Sequence, residues 1–282
     1  MKRILIIVMA ICCLAVKANA QLLYKVSGDS LKPSYIIASH PYINPLGVVA
    51  NVSAVKDAIT NTDQLVEDMN RTPYASAISD AERLPEGKTL SSLLTPAQVK
   101  LLDAFLKKYT EVSWSSPYNQ RRYNGKMPLA VLSDFYKLLF VANHMGEYDP
   151  THSFNEYFEA QARRNGEPVY GLTDADEYIK ALKAISPEKQ AAELVAFLEN
   201  TNAALFKVDK SVAAFDNKDM DASADNALTI GTKPDIKAWT AKMVTFMTGK
   251  PTFFVLPASA LGGNEGILAT LKAQGYTVES VY

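Results

Sequence analysis

The sequence predicts a mixed α/β (α+β) fold: small sheets formed by βαβ-like units near the two ends, wrapped by helices, around a mainly helical middle segment. Two observations carry this. The closing stretch, Thr252 to Tyr282, reads as strand, loop, helix, strand. A similar order occurs near the start, where Ser34–Ala38, Val48–Thr60 and Gln64–Met69 read as strand, helix and strand. A parallel crossover of this kind is right-handed in nearly all proteins, and ligand sites collect beyond the carboxyl ends of its strands. Those ends are Ala38–Pro41 and Pro257–Leu261.

Residues 1–20 carry a cationic start (Lys2, Arg3), an apolar run from Ile4 to Val16 and the small-residue pattern Ala18-Asn19-Ala20. This is the form of a cleaved secretory signal, and the run is too short for a membrane span. Cys12 and Cys13 lack the flanking residues of a lipid-anchor motif. The expectation is an exported protein, periplasmic or secreted, with residues 21–282 as one domain. Both cysteines lie in the leader, so the remainder has no thiol for a disulfide, a nucleophile or a thiolate metal site. Losing Lys2, Arg3 and Lys17 takes the formal charge from -1 to -4. A mildly acidic chain without a basic run argues against a nucleic-acid partner, and no later segment is apolar enough to span a bilayer.

Leu22–Val26 is a first strand, turned by Gly28-Asp29 toward Ser34–Ala38, which predicts a hairpin. On the following helix Val52, Val55 and Ile59 share a face. The helical middle segment runs from about residue 89 to 202. Thr95-Pro96 opens one helix, as N-cap and first residue. Leu129–His144 is apolar almost all round, the pattern of a central helix. Phe154–Asn165 and Pro187–Asn202 follow, with Val169–Leu172 a short strand between them. Asp216–Thr232 is polar and turn-rich, and Pro234-Asp235 opens a helix over Ile236–Met247. In the closing unit Ile267, Leu268 and Leu271 recur at helical spacing, and Gly275 stands where a left-handed residue ends the helix. Tyr276–Tyr282 alternates as an edge strand.

This order of parts resembles the TraB/GumN family, which includes Tiki-like proteins, over nearly all of the chain after the leader. The opening Leu22–Val26 and Ser34–Ile37, the acidic strand Asp63–Met69, and Tyr157-Phe158 with Gly166–Leu172 carry the likeness. The most specific part is Leu261-Gly262-Gly263 through Gly275-Tyr276-Thr277-Val278. The resemblance implies a metal-dependent hydrolase or protease site, with Gly-x-x-His at both bracketing loops and nearby acids. Here those loops read Ala38-Ser39-His40-Pro41 and Pro257-Ala258-Ser259-Ala260. Pro41 and Ala260 stand in the histidines' places, and His40 comes one residue early. Asp68 stands for a glutamate, Thr173 for the glutamate of Gly-Leu-Glu-Thr, and Asn155 for a common aspartate.

A catalytic metal needs about three protein ligands, usually imidazole or carboxylate. Pro41 and Ala260 offer none. The expected function is therefore a degenerate member that binds a protein, peptide or small-molecule ligand without a cofactor, with His40, Asp68, Thr173 and Ser259 marking the vestigial site. The alternative is a hydrolase with a rearranged divalent-metal site built from His40, Asp68 and His152. His144 reads as a helix-terminal histidine suited to the helix dipole. His152 and Glu156 have helical metal-ligand spacing without a third partner in sequence. Asp174, Asp176 and Glu177 read as capping acids. Tyr109, Trp114, Tyr118 and Tyr123 around Arg121-Arg122 read equally as a ligand groove or a packed connection. An Asp68 buried by loss of a metal would need a new partner, expected among Ser39, His40, Thr173 and Ser259.

Overall fold

The computed structural model describes residues 21–281, apart from 52, 150, 151 and 232. The leader reading over residues 1–20, and Val52 on the predicted helical face, lie outside the described residues. The chain opens with β1 (Leu23–Ser27) and β2 (Ser34–Ser39), then α1 (Pro45–Asn51), α2 (Ala54–Thr60), β3 (Gln64–Glu67) and α3 (Ala75–Ala81). The middle holds α4 (Pro96–Thr110), α5 (Pro117–Tyr123), α6 (Pro128–His144), α7 (Phe154–Asn165), β4 (Val169–Gly171), α8 (Ala175–Ala184), α9 (Pro187–Glu199), α10 (Thr201–Asp216) and α11 (Met220–Asp225). It closes with α12 (Ile236–Gly249), β5 (Thr252–Pro257), α13 (Ala258–Leu261), α14 (Ile267–Ala273) and β6 (Thr277–Ser280).

The α/β class holds, and the two end units, expected as small sheets, are joined in one. Six strands run in the order β4-β3-β5-β2-β1-β6. β5 inserts between β2 and β3 and pairs parallel with both, Ile37 opposite Val255 and Leu65 opposite Phe253. β4 extends the parallel part beside β3. β1 is antiparallel to β2 and to β6, which closes the far edge with exposed alternate residues. The first crossover thus spans β5, and the last spans β2 and β1. Because the central strands are covered on both faces, they read as continuous apolar runs; Phe253 to Leu256 are almost fully buried.

Alternation along β3 and β5 assigns the two faces. Phe253 meets Phe158 of α7 at 5.1 Å between ring centroids. On the opposite face Gln64 donates to the Phe246 carbonyl of α12 and to Thr252. In the middle segment α6 is central, burying Leu129, Val131, Leu132, Phe135, Leu139 and Phe140. The predicted caps form as expected: Thr95 and Gln98 make a reciprocal capping box before α4, and Asp235 accepts from the Ala238 N–H at the start of α12.

Most boundaries shift by a residue or two, and three differences matter more. The helix predicted over Val48–Thr60 is two helices, α1 ending at Asn51 and α2 beginning at Ala54. The helix predicted over Pro187–Asn202 ends at Glu199, and α10 begins at Thr201, so the long α10 was missed. Asn200 supplies that break with φ -119° and ψ 35°. β3 stops at Glu67 rather than Met69. At the closing helix Gly275 has φ +92°, the left-handed conformation expected of it.

Candidate functional site

The site lies beyond the carboxyl ends of the parallel strands, the usual ligand position in such sheets. Ser39, His40 and Pro41 arrive from β2, Pro257, Ala258 and Ser259 from β5, and Asp68 and Arg71 from β3. They line a cavity of about 410 Å³ walled by the start of α7, by Ser211 of α10 and by the end of α11. A second cavity of about 670 Å³ adjoins it, sharing Asp68, Arg71, Pro257 and Ser259 and reaching Thr173, Trp239 and Lys242. The segment Ala227-Leu228 lines both.

Of the sequence candidates, His40, Asp68 and Ser259 meet in the first cavity, and Asp68, Thr173 and Ser259 in the second. His40 is 6% exposed and surrounded by Tyr42, Phe140 and Phe215 at centroid distances of 6.1, 5.8 and 5.6 Å. The Tyr42 backbone N–H donates to Nδ1 at 3.3 Å. The Ser211 hydroxyl donates to the Val208 carbonyl, which leaves its oxygen to accept from His40 Nε2 at 3.3 Å. This network fixes the neutral tautomer with the proton on Nε2. Burial, and then the charge of His144, lowers the His40 pKa to about 3.

Asp68 is partly buried at the junction of the two cavities. Asn155 Nδ2 donates to its Oδ1 at 2.8 Å. Burial raises the Asp68 pKa, against the opposing pull of the Asn155 bond, the Met69 backbone N–H and the Arg71 charge. The hydrogen-bonding partner is therefore Asn155, and not Ser39, His40, Thr173 or Ser259. The reason lies in the chain path: the start of α7 is brought over the end of β3, while the Thr173 hydroxyl accepts from the Trp239 indole at 3.0 Å. Arg71 is itself committed to Glu82 at 3.1 Å and lies over the Tyr178 ring at 5.2 Å.

Sequence reasoning missed Glu67. It follows Leu65 on the face of β3 that packs against α7, is 1% exposed, and its Oε1 has no hydrogen-bond partner. Burial, then the charges of Asp68, Glu159 and Glu156, pushes its pKa up to about 9, so the carboxyl is neutral at ordinary pH. The available signal was an acid at a position where strand alternation demands an apolar residue. Ser211, Ser223 and Asn226 were also missed; they lie in α10, in α11 and at the end of α11, where no motif marks them.

The metal implied by the resemblance does not fit these residues. Among the described residues no group of three or more His, Cys, Asp or Glu side chains could hold an ion. His40 has both ring nitrogens engaged within the fold. His152 is paired with Asp149 at 3.2 Å, and Glu156 is spent on a capping box with Ser153. The His40–Asp68–His152 arrangement is thus not assembled. His144 bridges Glu147 and Asp209 at 3.2 and 2.9 Å. Asp174 and Glu177 cap α8 and pair with Lys242. Among the aromatics of the middle segment, Arg122 stacks over Tyr118 and Tyr123 within the cluster itself.

The loop after β5 explains the most specific sequence match. α13 packs on α11 so closely that a Cβ on Gly262 would lie 2.0 Å from the Met220 carbonyl oxygen. The Gly263 N–H then donates to Asp221 at 2.7 Å. No curated protein and no solved structure matches the chain. A family model does, that of the TraB/PrgY/gumN family, over residues 22–280, and the chain belongs to that family.

Proposed function

We propose that this chain is an exported, non-catalytic member of its family that works by holding a protein, peptide or small-molecule ligand in the groove at the carboxyl edge of the sheet. One observation carries the reading. Where the resemblance places two coordinating histidines, the chain has Pro41 and Ala260, and the neighbouring His40 spends both nitrogens on the Tyr42 N–H and Ser211. The groove itself is kept open, with Asp68 held by Asn155 at its centre. A retained cavity without a donor set is suited to recognition rather than to Lewis-acid chemistry.

The test is elemental analysis of the purified protein after incubation with zinc, manganese or cobalt and gel filtration. The expected result is less than stoichiometric retention. Tight retention of one ion that is lost on substitution at Asp68 or His40 overturns the reading. The export part is checked separately, by the amino-terminal sequence of the mature protein, expected to begin at Gln21.

A further inference from the structure

We propose that the cavity at the ends of β2 and β3 binds a neutral, polyhydroxylated small molecule of the saccharide type. This rests on the reading of the groove as a binding site and specifies its ligand. The argument begins with charge. The ionisable groups lining this cavity are His40, Asp68 and Arg71. His40 is locked in its neutral tautomer by Tyr42 and Ser211. Arg71 has its charge paired with Glu82 at 3.1 Å, and burial favours the neutral form of Asp68. The cavity therefore offers little net charge to a cationic or an anionic ligand, and a neutral ligand loses nothing.

Hydrogen-bonding capacity comes next. Asn155 gives one amide N–H to Asp68, and Asn226 gives one to the Ala222 carbonyl at 2.7 Å. Each keeps a second N–H that donates and an amide oxygen that accepts. Ser39 is 8% exposed, lines the cavity, and its hydroxyl has no partner among the described residues. Its oxygen opens into the cavity rather than being sealed in the fold, so a ligand hydroxyl can reach it. Ser259 adds a second unpartnered hydroxyl on the opposite loop. The wall thus offers amide oxygens, amide N–H groups and hydroxyls that work either way. A ligand that satisfies it must donate and accept at several points, and with no net charge that suits hydroxyl groups.

Size and shape agree. About 410 Å³ lies within the range of small-molecule pockets. Pro41, Pro257, Ala258 and Leu228 supply apolar patches among the polar groups, which match the C–H faces of a sugar ring between its hydroxyls.

The experiment is isothermal titration of the mature protein, in a chelating buffer at neutral pH, with glucose and cellobiose as neutral probes. Glucuronate and glucosamine serve as charged counterparts of glucose. The expected result is saturable binding of a neutral probe with a Kd below about 10 mM, and binding of both charged probes at least about tenfold weaker. Ser39→Ala and Asn226→Ala each weaken the neutral probe by roughly three- to tenfold, as loss of one hydrogen bond does. Ser259→Ala, at a residue less buried than Ser39, does the same if Ser39→Ala lowers the melting temperature. Saturation by neither neutral probe overturns the proposal. So does charged-probe binding as tight as that of glucose, or binding untouched by the three substitutions. Metal retention is measured apart from this, so failure here with no retained ion removes the ligand class and leaves the non-catalytic reading standing.

Discussion

The loops after β2 and β5 stand side by side at the same edge of the sheet, yet they are built on opposite terms. The β2 loop turns outward: Pro41 is exposed, and only His40 before it is sunk among Tyr42, Phe140 and Phe215. The β5 loop turns inward at once into α13, where Ala258, Ala260 and Leu261 are all buried and Gly262 touches the backbone of α11. One loop therefore has room for a side chain at the position the family resemblance singles out, and the other has none. The two positions where the resemblance implies histidines thus differ physically: a free surface position on one side, and a close-packed joint on the other.

The comparison is broken most severely at the joint. A Cβ at Gly262 would lie 2.0 Å from Met220 O, 2.2 Å from Met220 C and 2.5 Å from Asp221 N, all backbone atoms that cannot rotate away. Overpacking ordinarily costs about 1–3 kcal/mol and more where nothing can shift. Gly262→Ala is expected at about 3 kcal/mol or above, read by chemical denaturation, or to fail to fold. A loss below about 1 kcal/mol would show that α11 and α13 move apart freely.

Next in size is the attempt to introduce a histidine at each of the two positions in turn. Ala260 is 4% exposed, so Ala260→His must displace packed neighbours at about 2–3 kcal/mol. Pro41→His, on an exposed residue, costs at most about 1 kcal/mol, chiefly by loosening the unfolded chain. Equal costs at the two positions would refute the contrast between the loops.

Both loops were located from sequence because β-branched and aromatic runs ended at His40-Pro41 and Pro257, and strand ends are where such signals are sharpest. The starts of α4 and α12 were legible for the same local reason, through Thr95 and Asp235. Most of what escaped was set by contacts distant in sequence. The insertion of β5 between β2 and β3 and the pairing of Asp68 with Asn155, 87 residues apart, are of this kind; the break at Asn200 that frees α10 is local, but no Gly or Pro marks it. Glu67 shows the limit most clearly: its place in β3 was read, but not that its carboxyl would face α7 without a partner.

The third prediction sharpens the comparison through pH. His40 titrates at about 3 in the fold against 6.5 when unconstrained. Between those values the unfolded chain binds a proton that the folded one does not, so stability falls as pH falls through this window. The contribution is about 2 kcal/mol lost between pH 6.5 and pH 5. His40→Gln, which keeps a neutral hydrogen-bonding side chain at every pH, is expected to remove that slope. His144 acts in the opposite direction. Its burial favours the neutral form, but bonds to Asp209 and Glu147 prevail and raise its pKa. Its contribution is complete below 6.5 and is lost as pH rises through the higher folded value. An unchanged acid slope in His40→Gln would place the acid sensitivity elsewhere.

The smallest effect belongs to Asp68, between the two loops. Burial raises its pKa above 3.8 despite Asn155, so the folded state keeps a proton the unfolded state gives up. Stability from this group is therefore greatest in acid and declines as pH rises from 3.8 through the folded pKa. Asp68→Asn removes that decline while its side-chain oxygen still accepts from Asn155. The expected outcome is a flatter stability profile on the acid side and a change within about 1 kcal/mol at neutral pH, in the stabilising direction. The same substitution should leave the melting curve's cooperativity intact, because the Asn155 bond survives. A loss of several kcal/mol in Asp68→Asn at neutral pH would mean that the ionised carboxylate holds the groove together, and that Arg71 contributes far more to its balance than a residue already paired with Glu82 and Tyr178 is expected to supply.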